Sequence, residues 1–229
     1  MSKLDVIYHE GPCIVVNKPP GILTQSPPGI DSLEQLVRNY VKQQENKEGK
    51  IYLGVPHRLD RPASGAIVFG RHIRATRRLS EQFEKRTVRK TYWALVPRAD
   101  DLPGNGTWED HLRKIHGRSF VEVVDANHPK GKHAVLHYRR VRDHDDATLL
   151  EIELETGRTH QIRVQLASRG FPILGDDQYG SEITFGPTFD DARDRAIALH
   201  ARTLEFDHPM TKERVTVAAE TNENWPEFL

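Results

Sequence analysis

The sequence predicts an α+β protein whose mixed, mostly antiparallel central sheet is flanked by helices. Three observations carry that expectation. Two stretches, opening near Ser32 and His72, repeat apolar residues at helical spacing. Short apolar or alternating runs of strand character recur before, between and after them, as far as Ala219. At 229 residues the chain has room for one large domain or two small ones. A single domain spanning 1–229 is expected, with no internal repeat or low-complexity tract.

The elements follow in order. Cys13-Ile14-Val15-Val16 is a short strand, ended by Lys18-Pro19-Pro20-Gly21, which turns the chain and removes two backbone donors. Thr24 to Asp31, with Pro27-Pro28-Gly29, reads as an irregular loop. Ser32 and Gln35 fit a capping box, and Leu33, Leu36, Val37, Tyr40 and Val41 form one apolar stripe, so a core helix runs to about Gln43. Val55 to Gly65 is a stiff loop delivering Asp60 to a fixed place, because Pro62 fixes its own φ and keeps Arg61 out of helical geometry. Arg58 and Arg61 beside Asp60 favour its ionised form. Paired charges on a surface loop are the ordinary reading of such a segment.

Ala66 to Gly70 is a buried strand, and His72 to Arg86 a second helix. Its inner side is Ile73, Thr76, Leu79, Ser80 and Phe83; its outer side is Arg74, Arg77, Arg78 and Lys85. Thr87 to Pro97 has strand chemistry, and a Gly/Pro/Asp linker follows to Gly106. Trp108 to Val141 is mixed, with strands of a meander at Phe120–Val124 and Ala134–Val141. The histidines scattered here lack metal-ligand spacing. Ala147 to Glu155 alternates as a strand. A short helix around Ile162 and Leu166 closes at Gly170, placing Arg158 and Arg163 near its start, where the macrodipole favours anions. Ile197 to Phe206 and Arg214 to Ala219 complete the strands.

Composition narrows the class. Hydrophobic residues make up 37% and charged residues 29%, as in a soluble globular protein. No stretch approaches the ~20 apolar residues of a membrane span. Met1 to Asp5 carries an acid and lacks the apolar core of a signal peptide, so a cytoplasmic location is expected. The single cysteine, Cys13, rules out an internal disulfide. Net charge is zero, which argues against non-specific nucleic-acid binding, yet from His57 to Tyr92 ten Lys/Arg stand against three acids. One basic segment in a neutral chain fits a single anionic partner. No GxGxxG, P-loop, GxSxG or HExxH motif is present.

His57-Arg58-Leu59-Asp60-Arg61-Pro62-Ala63-Ser64-Gly65 resembles the HRLDxxTSG signature of the RluA family of pseudouridine synthases. In the family's order follow Lys90-Thr91-Tyr92-Trp93-Ala94-Leu95-Val96, Gly157-Arg158-Thr159-His160-Gln161-Ile162-Arg163-Val164, Leu174-Gly175-Asp176-Asp177-Gln178-Tyr179-Gly180 and Leu199-His200-Ala201-Arg202-Thr203-Leu204. Ile14 to Gly21 is similar to the family's opening strand. The resemblance covers nearly the whole chain. Ala63 departs from it, standing where the commonest pattern has Thr. The match begins near residue 5, so the N-terminal S4-type RNA-binding module of many relatives is not expected.

The resemblance implies a pseudouridine-synthase-like fold with a catalytic cleft across the sheet and Asp60 at its floor. It implies isomerisation of a uridine in structured RNA, tRNA or rRNA: the base leaves C1′, rotates and rejoins through C5. Asp60 is then the catalytic carboxylate, by attack on the sugar, attack on the base, or abstraction of a sugar proton. Arg163 pairs with it, and Tyr92 stacks on the target base. Arg58 fills the space of the extruded uridine, a salt bridge to Asp60 being its plainer role. Leu199 is an apolar wall beneath Tyr92, and His57, Arg61, Arg158, His160 and Gln161 complete the substrate site. Arg74, Arg77, Arg78 and Lys90 are expected on the RNA backbone. No cofactor and no metal are expected, since the reaction consumes neither redox equivalents nor phosphate. The partner is RNA, with no membrane, and the protein is expected to be a monomer. Two other readings remain: a non-catalytic RNA-binding or chaperone module using the same cleft, and a hydrolase pairing Asp60 with Asp176.

Overall fold

The computed structural model describes residues 4–27 and 29–226. Pro28 of the expected irregular loop, and residues 1–3 of the segment found to lack a signal-peptide core, lie outside the described residues. Among the described residues there are ten strands, mostly antiparallel, and three α-helices, an α+β architecture. None of the helices is long and apolar enough to cross a membrane. The described residues form two compact units, the first within 4–90, 191–194 and 201–223, the second within 91–190, 195–200 and 224–226.

In the first unit, β1 (Asp5–Glu10), β2 (Cys13–Lys18) and β3 (Ser64–Gly70) pair antiparallel in that order. The Ala201–Asp207 part of β9 (Leu199–Asp207) follows β3, and β10 (Arg214–Ala218) pairs with β9. Every residue of β3 is buried, as its unbroken apolar run requires. Cys13, Val15, Ala66, Val68, Leu204 and Phe206 form a core with Leu79 of α2 (Ile73–Glu84). That burial pushes the Cys13 thiol up to about 12.

α1 (Leu33–Gln44) forms where the stripe predicts and buries Leu33, Val37 and Val41. The Ser32 hydroxyl accepts from the Gln35 amide at 3.4 Å, the Ser half of the expected capping box. α2 is capped by His72, whose Nδ1 accepts from the Ala75 amide at 3.1 Å. Its inner side differs from the expectation. Ala75 and Leu79 are buried, whereas Ile73 is 70% exposed, because two residues from Ala75 it falls on the opposite side of the helix. Thr76 instead sits against the backbone of Gly54 and Gly70, where no side chain larger than hydrogen fits.

In the second unit the order is β4-β8-β7-β5-β6: Thr91–Pro97 of β4 (Arg89–Pro97), β8 (Ala147–Leu154), β7 (Lys132–His144), β5 (Asn105–Lys114) and β6 (Val121–Val124). α3 (Gln161–Ala167) lies over this meander, with Val164 in a core of Leu112, Val121, Ala134 and Tyr179. Gly170, at φ +84, closes the helix as expected, and the Phe171 amide returns to the Leu166 carbonyl. β1 and β5 were not legible, since no residue of β1 and only Leu112 of β5 is fully buried, and β5 carries Asn, Asp, His and Lys. Backbone pairing to β2 and β7 holds them. The meander histidines His133 and His137 face outward and meet Glu109 and Glu155 at 2.6 and 2.7 Å.

Candidate active site

The Asp60 loop belongs to the first unit and is held by a residue the sequence reading passed over. Lys18, fully buried at the end of β2, donates from Nζ to the carbonyls of Pro19 (3.0 Å), Arg61 (3.0 Å) and Ala63 (2.7 Å). Three N–H groups meet three acceptors. Desolvation pushes the Lys18 pKa down to about 7, with the Asp60 charge opposing that shift. A lysine inside an apolar strand was the available signal, because a buried ammonium must find partners. The Asp60 carbonyl accepts from the Ala63 amide at 3.2 Å, and Thr24 Oγ1 bonds both the amide and the carbonyl of Leu59. The loop is therefore fixed through backbone groups, and Ala63 serves without the family's threonine hydroxyl. Its apolar residues Leu59 and Ala63 point inward, while Asp60 stays partly exposed.

The two flanking arginines differ in their settings. Arg61 donates to the Gly21 carbonyl at 2.6 Å and to Asp194 at 3.0 Å, so it fastens the loop to a neighbouring turn. Arg58 is exposed and, among the described residues, makes no ion pair; the salt bridge to Asp60 is not formed. His57 is part of the scaffold: Nε2 accepts from the Val68 amide at 3.0 Å and the ring stacks on Phe83 at 4.3 Å. Burial, with the Lys90 charge nearby, pushes its pKa down to about 3, so His57 is neutral. Lys90 lies 6.0 Å from the Phe83 ring, and desolvation lowers its pKa. Arg74 and Arg77 face solvent, Arg77 pairing with Glu81 at 3.2 Å, whereas Arg78 is turned to the Pro209 carbonyl.

The second unit carries Tyr92, on β4 opposite Ile152, and Leu199, both buried. It also carries the 157–163 segment, of whose polar residues Gln161 and Arg163 are buried. Gln161 donates to the Val135 carbonyl and accepts from Thr156 and the Arg158 amide, so it pins the turn before α3. Arg158 Nε bonds the His133 carbonyl at 2.9 Å. His160, at φ +52, meets the Tyr179 hydroxyl through Nδ1 at 2.9 Å. Arg163 is buried in the first turn of α3. It forks onto Asp176 with two 2.7 Å bonds, the pair being 3% and 1% exposed, and adds a third bond to Gln178. Asp176 thus has both oxygens on a guanidinium, and it is buried, which argues against a hydrolytic partner role. The Asp176–Arg163 pairing was missed because its members lie on separate motifs.

An α+β meander with a lysine-braced carboxylate loop and a buried arginine fork defines the class through its fold. Human RNA pseudouridylate synthase domain containing 4 and domain containing 1 superpose with TM-scores of 0.77 and 0.72, each at 21% identity. The matches cover 96% of this chain and 89% and 84% of those chains, so the fold is that of pseudouridine synthases.

Residues 12–168 match the RNA pseudouridylate synthase family. The chain is 36% identical over 236 residues to the ribosomal large subunit pseudouridine synthase D of Xylella fastidiosa, covering 99% of this chain and 68% of that protein. It is 33% identical to an uncharacterised RNA pseudouridine synthase of Bacillus subtilis, over 95% of this chain and 68% of that one. The chain belongs to this family and is an RNA pseudouridine synthase, an isomerase acting on RNA.

Proposed function

We propose that this chain, as one catalytic domain, isomerises a specific uridine of ribosomal RNA, with Asp60 as the catalytic carboxylate. The observation that supports it most is the brace of three carbonyl bonds from Lys18, which fixes the loop that carries the partly exposed Asp60 carboxylate. Catalysis by a positioned group needs such rigidity. Breaking the C1′–N1 bond, turning the base and forming C5–C1′ releases the C5 proton, while N1 takes one up. An ionised Asp60 serves whether it attacks sugar or base or removes a sugar proton. Arg163 pairs with Asp60, Tyr92 stacks on the everted uracil above Leu199, and Arg58, exposed and unengaged, occupies the space left in the RNA. Exposed Arg74 and Arg77 take phosphates. The enzyme works as a cytoplasmic monomer without metal or cofactor. The relatives named for the large ribosomal subunit favour rRNA over tRNA.

RNA labelled with tritium at uridine C5 tests this directly. The protein is expected to release tritium from large-subunit rRNA with or without chelator, and Asp60→Asn to release none. Release at an undiminished rate by Asp60→Asn would falsify the assignment of the carboxylate. RNA binding without any release would support a non-catalytic module, and release only from tRNA would correct the substrate.

A further inference from the structure

We propose that Asp176 and Gln178 are positioning residues that aim Arg163 during uridine isomerisation, an inference that rests on Arg163 acting at the reaction centre as proposed above. A guanidinium has five N–H donors in a rigid plane. Nε–H and one Nη2–H go to the two oxygens of Asp176, and the second Nη2–H goes to Gln178 Oε1, all at 2.7 Å. Three donors on two edges of the plane are thereby assigned, which leaves Nη1 as the corner directed at other partners. Below the plane, the Tyr179 ring lies 4.8 Å from the guanidinium carbon. Tyr179 is itself fixed: its hydroxyl accepts from the Val121 amide at 3.0 Å and meets His160, and its ring stacks on Phe120 at 4.8 Å. Gln178 is tied from its other end, its amide donating to the Ser119 carbonyl.

A buried ion pair is a poor way to gain stability, since apolar residues of the same volume often do as well. What the fork supplies is direction. Asp176 also sets charge: it balances much of the Arg163 cation, so the guanidinium stays buried while Nη1 acts as a local donor. Displacing a reacting-site group by about 1 Å can cost about 100-fold in rate, and that sets the scale of the effect.

The test uses the full chain and C5-tritiated rRNA, with KM, kcat and thermal unfolding measured together. Gln178 is exposed, so Gln178→Ala is expected to keep its Tm and KM while kcat falls about 10-fold. Asp176→Asn is expected to lower kcat about 100-fold. In an Arg163→Lys background, which cannot be forked, neither change should lower kcat much further, because residues acting through one group are not additive. In the nitrogen-15 spectrum, the Arg163 Nη2–H signal should be slow to exchange in the parent and fast in Gln178→Ala. The inference falls if the parent turns over and Gln178→Ala matches it in kcat and in that signal. It falls equally if the losses multiply in the Arg163→Lys background, as an independent structural effect would. A parent that releases no tritium from any RNA overturns the proposed function and this inference with it.

Discussion

Lys18 and His57 are buried bases whose protons link the Asp60 loop to pH. Lys18 has three carbonyl partners, and a neutral amine has only two N–H groups. Its pKa lies near 7 in the fold against an ordinary 10.5. Between these values the unfolded chain holds a proton that the folded chain lacks, so this group's contribution to stability rises with pH across that window. Loop order changes in the opposite sense, because one brace bond is lost above about pH 7. Turnover is therefore expected to decline above neutrality while Tm does not, a split visible when a pH–rate profile is laid beside thermal melts. His57, near 3 against 6.5, works at the acid end. As pH falls through 6.5 the unfolded chain takes up a proton that the fold refuses until about 3, so stability is lost toward acid. His57→Leu should cost about 1–2 kcal/mol at pH 7, by leaving the Val68 amide unpaired. Urea titrations at pH 7 and pH 5 should show that the variant loses less on acidification than the parent.

Among the elements, α2 joins packing to recognition. Its inner side is set by Thr76 against Gly54 and Gly70 as much as by Leu79. A Cβ at Gly70 would lie 2.8 Å from the Thr76 amide nitrogen, so Gly70→Ala should lift the helix and destabilise by roughly 2 kcal/mol or more. Denaturant unfolding reads that loss. On the outer side, replacing Arg74 and Arg77 by Glu should weaken RNA binding uniformly across sequences. The plot of log affinity against log salt should flatten by about 2, as two phosphate contacts disappear; an unchanged slope would remove α2 from the interface. The α1 stripe was legible because every member of its period is apolar. The inner side of α2 was less so, since glycines on other segments decided which residue fits there, and a helical period carries no trace of them.

At the scale of the whole molecule, the order of motifs along the chain was enough to place the protein in its family. It was not enough to say which side chains touch. The residues that hold the Asp60 loop and Arg163 come from outside those motifs: Lys18 lies about forty residues before the carbonyls of Arg61 and Ala63, and Asp176 thirteen after Arg163. Backbone carbonyls as acceptors leave no mark on a sequence. The single cysteine lends itself to a different use. Cys13 is fully enclosed in the first unit's core, with a thiol raised to about 12, so it is inert to alkylating reagents while that core is shut. Iodoacetamide uptake thus becomes a stopwatch for how often that half of the enzyme breathes open. Run with and without RNA, it would report whether gripping the substrate quiets the protein's interior as well as its surface.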